Sequence, residues 1–60
     1  MTTENRREVR EFMKNYRKAS PTARKAAKEH WKNIFECAIF PNTFELAEGI
    51  LLAIREMEEA

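Results

Sequence analysis

Apolar side chains along this chain recur every three or four residues, and no stretch alternates with period two over the length of a strand. The pattern is interrupted twice. Ser20-Pro21 is a helix start, with Ser at the N-cap and Pro at the first helical position. Phe40-Pro41 ends a helix, because the residue before a proline is disfavoured in the α conformation. The pattern therefore predicts an all-α, compact three-helix domain over residues 1–60, with helices at about 3–19, 21–39 and 43–58.

Short polar side chains supply further start signals. Thr2 or Thr3 is placed to cap the first helix. Asn42, followed three residues later by Glu45, resembles a capping box and predicts the start of the third helix.

The third helix has the widest apolar face and is predicted to form the centre of the core. A chain this short buries little apolar surface by itself, so the same face also predicts a homodimer through helix 3. The second helix has an apolar sector in which His30 lies beside Trp31 and Cys37 lies at the end. We expect His30 to be at least half-buried with one hydrogen bond, and Cys37 to be a small core residue.

Composition excludes several classes of function. One cysteine cannot form an internal disulfide, and one cysteine with one histidine cannot supply a usual zinc site. We therefore predict no catalytic residues, metal ligands, cofactor or small-molecule substrate, and no enzymatic activity. The longest apolar run is Ile50–Ile54, and the N-terminus lacks an apolar segment, so we expect no membrane span, no secretory signal and a cytoplasmic location.

Charge is distributed unevenly along the chain. Residues 1–32 contain ten Lys or Arg and four Glu, whereas residues 33–60 contain one Arg and six Glu. One interpretation is pairing within the molecule, at the pole where the ends of helices 1 and 3 meet the start of helix 2. There, five cations would face three carboxylates: Lys14, Arg17, Lys18, Arg24 and Lys25 against Glu56, Glu58 and Glu59. The other is a surface for nucleic-acid phosphates, with five candidate contacts: Arg6, Arg10, Arg17, Lys28 and Lys32.

Apolar residues outside the predicted core are the other candidates. Leu52 lies alone in the acidic sector of helix 3, beside a strip of small residues formed by Gly49 and Ala53. The interpretation that we favour is that Ile39 and Phe40 fold under the turn between helices 2 and 3, and the alternative is an exposed apolar knob that they form with Phe44. The predicted protein interface contains four residues: Phe40, Gly49, Leu52 and Ala53.

Two hypotheses about function follow from these features. The first is a small non-enzymatic regulatory protein, an inhibitor or adaptor, that binds a larger protein through a helical face. The alternative is a nucleic-acid-binding regulator that uses the basic faces of helices 1 and 2. The feature that separates them is whether the positive charge is neutralised within the molecule.

Overall fold

A computed structural model describes residues 2–59 and contains three α-helices: α1 (Thr3–Lys18), α2 (Pro21–Cys37) and α3 (Pro41–Glu59). No strand is present between residues 2 and 59. The structure thus confirms the predicted compact three-helix class and the order of its elements.

The first two helices begin where their capping residues predict. The Thr2 hydroxyl accepts a hydrogen bond from the Asn5 backbone N–H at 3.1 Å, which satisfies one of the free donors at the start of α1. The Ser20 hydroxyl accepts from the Ala23 N–H at 3.2 Å, and Pro21 is the first residue of α2.

The connection between α2 and α3 differs from the prediction. Ala38 is already extended, with φ −64° and ψ 128°, so α2 ends at Cys37 rather than at residue 39. Helix α3 begins at Pro41, and the Phe44 N–H donates to the Phe40 carbonyl at 3.1 Å. The prediction of an N-cap at Asn42 is wrong, because proline itself occupies the first helical position, where its fixed φ suits the helix and its missing N–H costs nothing.

Helix α3 lies at the centre and packs against both other helices. Among residues 2–59, the buried apolar side chains belong to α1 and α3: Met13, Tyr16, Ala47, Ile50 and Ile54. Helix α2 contributes Ala27 and Trp31 at the edge of this core and has no fully buried residue. The Trp31 indole meets the Phe12 ring edge-on, at 5.9 Å between centroids.

Two expectations for α2 are wrong, because its half-buried face does not include either residue. His30 is exposed, and its ring lies in a T-shaped arrangement with Trp31, with 5.9 Å between the ring centroids. Cys37 is a free, exposed thiol rather than a core residue.

The wide apolar face of α3, which was the reason to predict a dimer, is used inside the monomer. Ile50 and Ile54 are almost completely buried, and of the large apolar residues of α3 only Phe44 and Leu52 are exposed. The homodimer through α3 stays an untested prediction. No helix within residues 2–59 has the length and apolar character required to cross a membrane.

Candidate functional site

The two most exposed large apolar side chains among residues 2–59, Ile39 and Phe40, lie at the turn between α2 and α3. Ile39 is 87% exposed, Phe40 70% and Phe44 40%. The Phe44 ring stacks on Phe35 of α2, with 4.6 Å between centroids and 30° between planes. Phe35, Ile39, Phe40 and Phe44 are here called the turn surface. The structure thus shows the exposed knob, and the favoured interpretation, in which these residues fold under the turn, is wrong.

The backbone explains why these side chains protrude. Residues 38–40 lie outside both helices, between the end of α2 and Pro41, so Ile39 and Phe40 belong to neither helical face. Phe40 immediately precedes the first residue of α3, and its carbonyl accepts from the Phe44 N–H. The Phe40 ring is therefore held next to the start of α3 and is exposed to solvent.

The other residues of the predicted protein interface do not join the turn surface. Leu52 is 49% exposed but lies twelve residues after Phe40, about 18 Å farther along α3 at 1.5 Å per residue. Gly49 and Ala53 are half-buried, and Ala53 packs against the core. Phe40 and Leu52 are therefore on separate surfaces.

A second candidate surface is formed by one side of α1. At 100° per residue, six cations fill a continuous sector about 120° wide that contains no carboxylate. We call this the α1 basic sector, and it comprises Arg6, Arg7, Arg10, Lys14, Arg17 and Lys18. All six residues are exposed, and none forms an ion pair within residues 2–59.

The predicted pairing of charges at the pole occurs with a different lysine. Lys28 Nζ lies 2.8 Å from Glu58 Oε1, whereas Lys14, Arg17, Lys18 and Lys25 form no ion pair between residues 2 and 59. The hydrogen bond to Glu58 and then its negative charge raise the pKa of Lys28 above its ordinary value of 10.5. Both side chains are about half exposed, so the pair is a surface ion pair.

Arg24 has a structural role at the same pole. Its Nε donates to the Tyr16 carbonyl at 3.1 Å and its Nη2 donates to the Arg17 carbonyl at 2.7 Å. The guanidinium also lies 5.7 Å from the centre of the Tyr16 ring. Arg24 therefore donates to two carbonyls at the end of α1, of which the Tyr16 carbonyl also accepts from the Ala19 N–H, and its positive charge interacts favourably with the negative end of the helix dipole.

The five residues predicted to contact nucleic acid lie on two surfaces. Arg6, Arg10 and Arg17 belong to the α1 basic sector, which borders the buried face of α1 on the side away from Phe12, whose ring meets Trp31 of α2. Lys28 faces α3 through Glu58, and Lys32 lies one helical turn farther along α2. The cations on α1 are brought together, and those on α2 are separate from them. Arg7, Lys14 and Lys18 complete the α1 sector, and the 100° spacing of the sequence already places them there.

Two shallow depressions lie on the surface of the described residues. One depression of about 300 Å³ and another of about 270 Å³ are open and mostly lined by polar and charged residues. The first is lined by Tyr16, Pro21, Arg24, Lys25, Lys28 and Glu58, and the second by Glu29, Lys32, Asn33 and Glu36. No group of three or more metal-ligating side chains was found among residues 2–59.

Comparison of the chain with protein-family models, with curated proteins and with solved structures found no match in any of the three.

Proposed function

We propose that this protein is a small non-enzymatic regulator, an inhibitor or adaptor, that binds a larger protein through the turn surface. The observation that carries the proposal is the exposure of Ile39 and Phe40, at 87% and 70%, in a chain whose other large apolar residues mostly pack. Burying a Phe or Ile side chain is worth about 1.5–3 kcal/mol, so two such residues form a strong anchor.

The shape of the surface defines the partner. Ile39 and Phe40 protrude, so the partner presents an apolar pocket that receives them. The two open depressions described above are lined mainly by charged and polar residues, so neither matches these apolar anchors. A larger protein with an apolar cleft fits this convex surface better than a symmetric dimer does.

Affinity capture with matched variants tests the proposal. The wild-type chain, Phe40→Ala and Leu52→Ala are each immobilised and exposed to nuclease-treated host lysate, and the captured proteins are quantified by mass spectrometry. We expect at least one protein to be retained by wild type and by Leu52→Ala but lost with Phe40→Ala, because Leu52 is exposed yet lies outside the turn surface.

The partner found in this way must then bind directly. The purified partner is titrated with each variant of the chain. We expect Phe40→Ala to bind it about 2 kcal/mol or more less tightly than wild type does, as is typical of an anchor residue. If no captured protein distinguishes wild type from Phe40→Ala, or if Leu52→Ala causes the same loss, the proposal is wrong.

A further inference from the structure

The α1 basic sector, on a surface distinct from the turn surface, carries a binding function of its own. It runs from Arg6 to Lys18, about 18 Å along the helix axis at 1.5 Å per residue. The three carboxylates of α1 lie in the adjoining sector, which begins with Glu11 about 20° from Lys18, and no member of the basic sector forms an ion pair within residues 2–59. The positive charge of α1 is therefore available to an external anion.

We propose that the α1 basic sector binds the phosphate backbone of a double-stranded nucleic acid without sequence preference. Duplex DNA carries one negative charge for about every 1.7 Å of axis when both strands are counted, so 18 Å of duplex holds about ten phosphates, about five on each strand. Cations spaced by one helical turn along α1 match such a dense row of charge, and they release its bound counterions.

The composition of the sector distinguishes this ligand from other polyanions. Single strands are bound by stacking on exposed aromatic rings, but Phe12 and Tyr16 of α1 pack in the core, and Tyr16 is only 3% exposed. A membrane-surface helix inserts its apolar face into lipid, whereas the apolar face of α1 is used against α3. An acidic protein partner would need an apolar anchor, and the sector contains none.

Salt dependence of binding gives the quantitative test. Fluorescence anisotropy measures the binding of wild type to a labelled random-sequence DNA duplex, a duplex RNA of equal length and a single strand over a series of salt concentrations. If all six cations contact phosphates, the log–log slope of affinity against salt for DNA is about −5.4, from −0.9 per contact. We expect both duplexes to bind more tightly than the single strand.

The binding site is located by comparing the salt slopes of two triple variants that have the same net charge. Arg6→Gln/Arg10→Gln/Lys14→Gln removes three cations of the sector, and we expect the slope to become less steep by about 2.7. The control Lys25→Gln/Lys32→Gln/Arg55→Gln removes three cations from α2 and α3, and should leave the slope nearly unchanged. Circular dichroism verifies that both variants keep the helical content of wild type.

Several outcomes would overturn the proposal. These are equal effects of the two triple variants, no measurable duplex binding by wild type, tighter binding to the single strand, and tighter binding to anionic phosphatidylserine vesicles. Phe40→Ala is expected to bind duplex as wild type does, so failure at this surface and failure at the turn surface are distinguishable.

Discussion

Replacement of Asn5 by alanine is expected to destabilise the protein more than replacement of an exposed asparagine does. Asn5 is only 3% exposed, and its side-chain amide donates to Asn42 Oδ1 at 2.9 Å and to the Asn42 carbonyl at 3.3 Å. These bonds join the first turns of α1 and α3. Each is worth about 0.5–1.5 kcal/mol, so their loss removes about 1–3 kcal/mol. The higher helix propensity of alanine offsets up to about 0.7 kcal/mol of this loss.

Asn15 provides the matched control, because it lies on the same helix but is exposed. Asn15→Ala has the same propensity gain and loses no hydrogen bond across the bundle. Urea denaturation, followed by the fluorescence of Trp31 and by circular dichroism, gives the free energy of unfolding of each variant. For a domain of this size each kcal/mol also lowers Tm by about 4–8 °C.

A double-mutant cycle then isolates the contact itself. Asn42→Ala removes one acceptor, and we expect a coupling energy of about 1 kcal/mol between the two asparagines. If Asn5→Ala and Asn15→Ala have free energies of unfolding within about 0.3 kcal/mol of each other, the hydrogen bonds between Asn5 and Asn42 contribute nothing to stability and the reasoning is refuted.

Two further predictions concern the core and the pole. Ile54→Ala should lower the free energy of unfolding by about 2–5 kcal/mol, because it leaves a cavity where a fully buried side chain stood. Leu52→Ala should lower it by less than about 0.5 kcal/mol, because Leu52 is half exposed. Urea melts that rank the two variants otherwise would contradict the observed burial. The raised pKa of Lys28 implies that the stabilisation from Glu58 is fully present below pH 10.5 and is lost as pH rises through the higher folded-state pKa. Thermal melts between about pH 9 and pH 12 should therefore show a slightly larger loss of Tm for wild type than for Lys28→Gln, and equal losses would show that the pair adds no stability.

Local signals predicted those parts of the fold that depend on neighbouring residues. Thr2, Ser20 and Pro21 act within three residues of the backbone groups that they satisfy, and all three were interpretable from the sequence. The prediction of an N-cap at Asn42 is wrong because the Asn42 side chain does not bond to its own helix. It accepts instead from Asn5, thirty-seven residues away, and no local pattern reports such a distant partner.

The candidate surfaces show the same division. The spacing of α1 was sufficient to group its cations, because a helix places residues by a fixed rotation. The partner of Lys28 depends on how α2 packs on α3, and Glu58 is thirty residues away. Whether Ile39 and Phe40 pack or protrude depends on where α2 ends. That end is at Cys37, two residues earlier than the apolar pattern indicates.

The restriction of the fully buried side chains to α1 and α3 has a consequence for how the chain folds. The two helices that build the core are separated in sequence by residues 19–40, so their contacts form only after that segment closes as a loop. Loop closure costs entropy before any contact compensates it. If α2 is already helical in the unfolded ensemble, it is a rod of about 26 Å that returns the start of α3 to the level of the start of α1. Early formation of α2 would thus shorten the search for the contacts between α1 and α3, and we expect substitutions that raise its helix propensity to speed folding.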